Sequence, residues 1–231
     1  MTAITAVTVQ NTKGVQSVFP INANEIYKQI AHTVKDIMPD AVKIGMLHST
    51  EVINNVYKSL KKIKTKKIIL DPVMVAKGGH PLLENKAINL LKKNLMAKSL
   101  LITPNLLEAE KILNYKIKDL DSMIECSKKF LSLGFSNVLL KGGHLLKSEK
   151  VTDLLFCEGK VFKFYSKRIN TNNTHGTGCS LASAITANLF LGKNLRESVK
   201  ISRKFVNTAI RSSYEIGHGH NPINHFVNFK S

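Results

Sequence analysis

The chain has no tryptophan, and all its aromatic residues together make up 6 % of it. That leaves too few flat side chains, none interleaved with basic runs, to build a base-stacking surface for single-stranded nucleic acid. Cysteine is nearly as scarce. Cys126, Cys157 and Cys179 are odd in number, widely spaced and free of any C-x-x-C pair. This speaks against a disulfide scaffold or a paired-cysteine metal site and fits reduced thiols in a cytoplasmic protein. No apolar run reaches the ~18 residues of a membrane span. The opening "MTAITAVTVQNTKG" lacks a basic leader before an apolar stretch and does not read as a secretory signal. Acidic residues are few, 16 against 34 lysines and arginines, for a net charge of +18. A nucleic-acid partner would need those cations gathered on one face. Here they are scattered through "KKIKTKK", "KAINLLKKN" and "SKRI", as expected of solvated faces, so neither nucleic acid nor membrane is an expected partner.

What is present is enough for one sizeable core. A length of 231 residues at 43 % hydrophobic composition predicts a single domain, 1–231. Strand-like and helix-like segments alternate. "AITAVTV" (3–9), "AVKIGML" (41–47), "KIILDPV" (67–73), 99–102 and "NVLLKGG" (137–143) read as strands. Helices are predicted over 22–37, 49–63, 84–96, 105–113, about 121–133, 177–191 and 195–214. "VTDLLFCEGKVFKFYS" (151–166) breaks the rhythm as a hairpin turning at Glu158–Gly159. Repeated β-α units predict a three-layer α/β/α fold with a mainly parallel central sheet. In such a sheet the ligand lies beyond the carboxyl ends of the strands.

Several strand-end segments carry candidate chemistry. Gly176 and Gly178 in "NTHGTGC" open a helix, a geometry that turns backbone N–H groups toward an anion such as phosphate. The same spacing also serves a plain glycine turn before a buried cysteine. Cys179 sits at a helix N-terminus, where the thiolate is favoured. Lys141 in "KGGH" ends a buried strand within reach of a phosphate, or is a solvated lysine. Asn105 and Glu108 stand three apart in "TPNLLEAE". They suit a hydrated Mg²⁺ and equally an N-cap with its capping-box glutamate. Asp71, before Pro72, is a second metal-side carboxylate or a turn former. His218, His220 and His225 in the tail have a spacing compatible with a metal, and the plainer reading of a structural tail is preferred.

Taken in order, "TAVTVQNTKGVQSV", "KIGML", "LDPVMVAKGG", "LITPNLLEAE", "VLLKGGH", "NTHGTGC" and "GHGHNPINHF" resemble the ribokinase-like kinases. Within them the chain is similar to the hydroxymethylpyrimidine/phosphomethylpyrimidine kinase family of thiamin biosynthesis. The resemblance implies an ATP- and Mg²⁺-dependent phosphotransferase acting on a hydroxymethyl aminopyrimidine and on its monophosphate. It implies Cys179, where most ribokinase-like enzymes carry aspartate, as general base, with the N–H groups of Gly176, Thr177, Gly178 and Cys179 stabilising the transferred phosphoryl. Lys141, Asn105 and Thr174 would contact ATP phosphates, and Glu108 with Asp71 would hold Mg²⁺ through water. Gln10 would read the pyrimidine edge, Met46 and Val73 would wall its pocket, and 76–83 would form a mobile flap. A homodimer is implied as well. Against the family pattern, an opening strand, glycine-rich turn and helix of about thirty residues, the size of a small β-α unit, are missing. The expected fold is therefore ribokinase-like without its first β-α element. A pyridoxal-type kinase and an inactive remnant are the rival readings.

Overall fold

The computed structural model describes residues 1–76, 79–143, 145, 149–227. The chain opens not in the central sheet but in a separate hairpin. β1 (Ala6–Asn11) and β2 (Gly14–Pro20) pair antiparallel, Val7 opposite Phe19, with a bulge at Val9/Gln10. The Asn11 side chain accepts from Lys13 N at the turn, and Gly14 follows with φ 152°, a conformation glycine adopts freely. The expected strand 3–9 thus acquires an unforeseen partner.

α1 (Ala23–Asp36) and α2 (Thr50–Leu60) start where Asn22 and Ser49 cap them. Between them runs β3 (Val42–Ile44), followed by β4 (Ile68–Leu70), β5 (Leu101–Ile102), β6 (Val138–Leu140), β7 (Lys150–Cys157) and β8 (Lys160–Lys167). These six form one sheet in chain order, with β3 at its edge. β3 to β6 are parallel neighbours, and β6–β7 and β7–β8 are antiparallel, so the sheet is mixed, with its parallel half where the β-α rhythm holds. The expected hairpin turns at Glu158, φ 53°, and Gly159.

The apolar runs are buried on both faces. Ile44, Ile68, Leu70, Ile102, Val138 and Leu140 pack under α1, α2, α4 (Leu106–Leu113) and α5 (Leu120–Ser132). Ile69, Leu101, Leu139 and Leu155 pack under α6 (Thr177–Phe190) and α7 (Leu195–Arg211). Alternation of side chains along each strand makes these two cores. The expected helix 84–96 is instead a broken stretch. It runs through a 3-10 turn (Asn85–Ala87), one α turn (α3, Ile88–Leu90), a π turn (Leu91–Leu95) and a 3-10 turn (Met96–Lys98). Glu84 makes no side-chain cap, and Leu91, Leu95 and Met96 are buried along the π turn. Among the described residues no helix is long and apolar enough to cross a membrane.

Candidate active site

Three polar residues leave the carboxyl ends of neighbouring strands and meet. Asp71 follows β4, its N–H donating to Ile44 O at 2.9 Å. Lys141 follows β6, its N–H donating to Pro104 O at 2.9 Å, in a parallel bridge with Asn105. Lys141 Nζ donates to Asp71 Oδ1 at 2.8 Å, and Thr103 Oγ1 donates to the same oxygen at 3.0 Å. The Asp71 side chain is 2 % exposed and that of Lys141 15 %. Burial alone would push the Asp71 carboxyl up, but Lys141, Lys43 and the Thr103 hydroxyl together hold it below its ordinary range. For Lys141 too, burial opposes the charge, and Asp71 and Glu108 reverse that and raise it.

Asn105 and Glu108 form the capping box of α4. Asn105 Oδ1 accepts from Glu108 N at 2.9 Å, and Glu108 Oε2 accepts from Asn105 N at 2.7 Å. The structural reading of this pair is therefore realised. Glu108 is nevertheless unusual: burial, and then Asp71 close by, push its carboxyl up to about 7 against the pull of Lys141. A half-protonated buried carboxyl beside a second carboxylate suits a hard divalent cation, which would restore its charge, so the residues fit a hydrated Mg²⁺. Among the described residues no cluster of three histidine, cysteine, aspartate or glutamate side chains is assembled to hold a metal by itself.

The glycine turn comes down on this group. Gly176 caps α6 in the left-handed region, φ 83°, and Ser180 N–H closes the first turn onto its carbonyl at 2.9 Å. A Cβ built on Gly178 would stand 3.3 Å from Lys141 Nζ and 3.8 Å from Asp71 Oδ2. Glycine there lets the helix N-terminus close on the ion pair. Thr177 N–H turns back onto Thr174 O at 3.4 Å, and Thr177 Oγ1 onto the same oxygen at 3.0 Å, so its amide is committed within the turn. Cys179 is exposed to the cleft yet walled by protein. Burial first and Asp71 second raise its thiol above its ordinary value, against Lys43 and Lys141. Burial, helped by the carboxylate across the cleft, thus outweighs the thiolate preference expected at a helix N-terminus.

The hairpin closes the other side. Gln10 Nε2 lies 3.4 Å from His175 Nε2, the residue before Gly176. Met46 and Val73 line the same cleft, about 1500 Å³, along with Thr174 and the residues above. That volume exceeds the ~300–1,000 Å³ of a single small-ligand pocket and has room for two ligands. The expected flap is folded at its described ends, with Val75 bridged to Pro81 and Leu82 N–H bonded to Met74 O, and Lys77 and Gly78 lie outside the described residues. Two of the tail histidines meet protein groups: His220 Nδ1 lies 3.3 Å from Asn172 O, its backbone N–H donating to Thr12 O at 2.7 Å, and His225 Nε2 meets Ser180 Oγ at 2.8 Å. Lys43, His175 and Asn221 belong to the site or its frame and were not singled out in the sequence. All three stood inside quoted motifs, Lys43 in "KIGML", His175 in "NTHGTGC" and Asn221 in "GHGHNPINHF", but nothing local showed that they reach the site.

A phosphomethylpyrimidine kinase from Clostridium difficile 630 superposes with TM-score 0.79 at 40 % identity, over 91 % of this chain and 86 % of that one. A pyridoxal kinase from Bacillus subtilis, solved as an ADP complex, superposes with TM-score 0.88 at 34 % identity, over 97 % and 85 %. Together with the glycine turn set on a lysine–aspartate pair, this defines the class, a ribokinase-like small-molecule kinase. The family model described as phosphomethylpyrimidine kinase matches residues 1–224. A hydroxymethylpyrimidine/phosphomethylpyrimidine kinase of Bacillus subtilis (strain 168) is 39 % identical over 227 residues, 98 % of this chain and 84 % of that protein. The chain belongs to the phosphomethylpyrimidine kinase family.

Proposed function

We propose that the chain transfers the γ-phosphoryl group of ATP to the primary hydroxyl of a hydroxymethyl aminopyrimidine, and then a second phosphoryl to the monophosphate, in thiamin biosynthesis. The observation that carries this reading is the approach of the Gly176–Cys179 turn to the Lys141–Asp71 pair. In the reaction the substrate oxygen bonds to the γ-phosphorus, the bond from that phosphorus to the bridging oxygen breaks, and ADP leaves. The hydroxyl proton passes to the Cys179 thiolate. Lys141 and the N–H groups of Gly178 and Cys179 stabilise the charge spread over the transferred group, and Thr174 and Asn105 border the phosphates. Gln10 offers both a donor and an acceptor to the aminopyrimidine edge. Met46 and Val73 face the ring. Glu108 and Asp71 would hold Mg²⁺, largely through water, and the cation would neutralise phosphate charge.

ATP as donor is supported by neighbours of the same fold, the Bacillus subtilis pyridoxal kinase with ADP and a Staphylococcus aureus pyridoxal kinase with AMP-PCP. Those neighbours also keep a pyridoxal-type alcohol as second reading, and competing the two alcohols in one assay decides between them. A homodimer is supported by the apolar hairpin face, where Val7, Val9 and Phe19 are exposed. Cytoplasmic residence is supported by three free thiols.

The test is ATP consumption with the hydroxymethylpyrimidine, beside Cys179→Ala. Because the thiol is raised, its base form fills only above the ordinary thiol range, and wild-type turnover keeps climbing as pH passes that range. The variant is expected to lose about 10²–10⁴-fold in kcat together with that rise. Equal turnover in both proteins removes Cys179 as the base. No turnover by the wild type with either alcohol removes the kinase reading of this chain.

A further inference from the structure

Two buried charges beside the cleft have no part in the chemistry above. Asp153, on β7, is 7 % exposed, and Arg203, in α7, is 9 % exposed. Arg203 Nε donates to Asp153 Oδ2 at 2.7 Å. Removing both charges from water costs much of what their attraction returns, and apolar residues of similar volume often serve a fold as well. The second carboxylate oxygen gives the pair its use. Asp153 Oδ1 accepts the backbone N–H of Gly142 at 2.8 Å, and Gly142 directly follows Lys141.

We infer that Asp153, locked by Arg203, is a positioning residue for the phosphate-binding lysine: its bond to Gly142 N–H sets where the Lys141 ammonium reaches. The inference rests on the phosphoryl-transfer reading of Lys141. The geometry around the bond is tightly determined. A Cβ on Gly142 would fall on the carbonyl of Thr152, so this backbone lies directly against β7 and only glycine fits. On the other side of Lys141, its own N–H is held by Pro104 O. Arg203 in turn is fixed by the Ser166 hydroxyl at 3.4 Å and by the ring of Phe164, 5.5 Å from the guanidinium carbon. Arg168 braces the next residues, donating to Gly143 O at 3.0 Å and Leu145 O at 2.7 Å. With the backbone fixed on both sides, the ammonium's position depends on side-chain torsions alone, and it comes to rest 2.8 Å from Asp71. Reacting groups held this way lose about 100-fold in rate for a displacement on the order of 1 Å.

The experiment compares wild type, Asp153→Asn, Arg203→Met and Arg203→Lys, each assayed well below its own melting temperature. The expected result is a fall in kcat of about 100-fold in Arg203→Met and Asp153→Asn, with the KM for the pyrimidine within about twofold, and recovery in Arg203→Lys. Amide exchange of the protein alone supplies the second readout. In Asp153→Asn the Gly142 N–H is expected to exchange about 10-fold faster, while Leu70 N–H in β4 keeps its wild-type rate, marking a local change. A folded Asp153→Asn with wild-type kcat, or with wild-type exchange at Gly142, overturns the inference. If Arg203→Met does not fold, Asp153→Asn decides alone. If the wild type turns over no alcohol, the functional reading falls, and Gly142 exchange still decides whether Asp153 holds the loop.

Discussion

The two walls of the cleft are built in opposite ways. The strand-end wall carries Asp71, Lys141 and Glu108 on the ends of buried parallel strands and the first turn of α4, each bound by named side-chain hydrogen bonds and nearly out of water. The hairpin wall carries Gln10 on a two-stranded sheet that, among the described residues, pairs with no other strand and leaves Val7, Val9 and Phe19 exposed. A two-stranded hairpin is marginal by itself. This one is held by scattered bonds: Thr5 Oγ1 to Met46 O at 2.8 Å, Ile4 with the Gln29 amide, and His220 N–H to Thr12 O. Charge chemistry sits where the low dielectric strengthens it and the backbone cannot give. Ring recognition sits on a module tied down from outside. Damage to the first wall should therefore appear in kcat and stability, and damage to the second in KM.

Lys141→Met is the hardest blow to the first wall. It leaves Asp71 buried without its ion-pair partner, held by the Thr103 hydroxyl and the more distant Lys43 charge, so stability should fall by roughly 3–5 kcal/mol. Asp71 has a lowered carboxyl in the folded chain, so its contribution is present above the ordinary carboxylate range and lost as pH falls through the folded value. The variant's deficit should accordingly be greatest at neutral pH and shrink in acid. Turnover should fall about 10³-fold. Urea unfolding at two pH values and ATP consumption check both. A rise in pyrimidine KM with kcat unchanged would break the division between the walls.

Glu108→Gln separates stability from activity on the same wall. The Glu108 carboxyl is raised from 4.5 to about 7, so the folded chain keeps a proton that the unfolded chain releases. Its stabilising contribution is complete below about 4.5 and is lost as pH rises through about 7. Glutamine also serves in a capping box and carries no charge to bury. Urea midpoints should show the variant more stable than wild type by roughly 1–3 kcal/mol at pH ~8 and flatter between the two values. Its turnover should drop about 10–100-fold if Glu108 holds Mg²⁺.

The same contrast governs what could be read without coordinates. "KIILDPV", "TPNLLEAE" and "NVLLKGG" announced strand ends because a continuous apolar run stops on a polar residue, and Asp71, Asn105, Glu108 and Lys141 were all found that way. β2, "GVQSVFP", was not: its mixed exposure leaves no clean alternation to detect. Asp153 and Arg203 pair across 50 residues, and nothing local distinguishes either from other charges of the chain. The Cys179 thiol was misjudged for a similar reason. The helix N-terminus is visible in sequence, whereas Asp71, which helps raise it, is brought across by the fold. Local periodicity carried the layered frame, and long-range electrostatics had to come from the structure.

The smallest effect is expected at the tail, and it probes the hairpin wall most directly. Asn221 is 2 % exposed. Its side chain accepts from Ile216 N at 3.0 Å and Gly217 N at 2.7 Å, and donates to Gly217 O and Gly219 O, both at 3.2 Å. These bonds shape the glycine turn so that it can lie on Thr12, where a Cβ on Gly219 would meet the Thr12 carbonyl. The Asn221 carbonyl accepts His175 N at 3.0 Å, so one residue links the hairpin tip to the segment that opens α6. Asn221→Ala frees several partly buried backbone groups, at a cost of about 1–3 kcal/mol. The Lys141–Asp71 pair is untouched by this change, so kcat should stay within about twofold. Gln10 and His175 should lose their fixed spacing, and KM for the pyrimidine should rise by about 5-fold, on the order of 1 kcal/mol. A fall in kcat at constant KM would instead mean that the tail serves the phosphate turn, through His225 and Ser180, and not the ring.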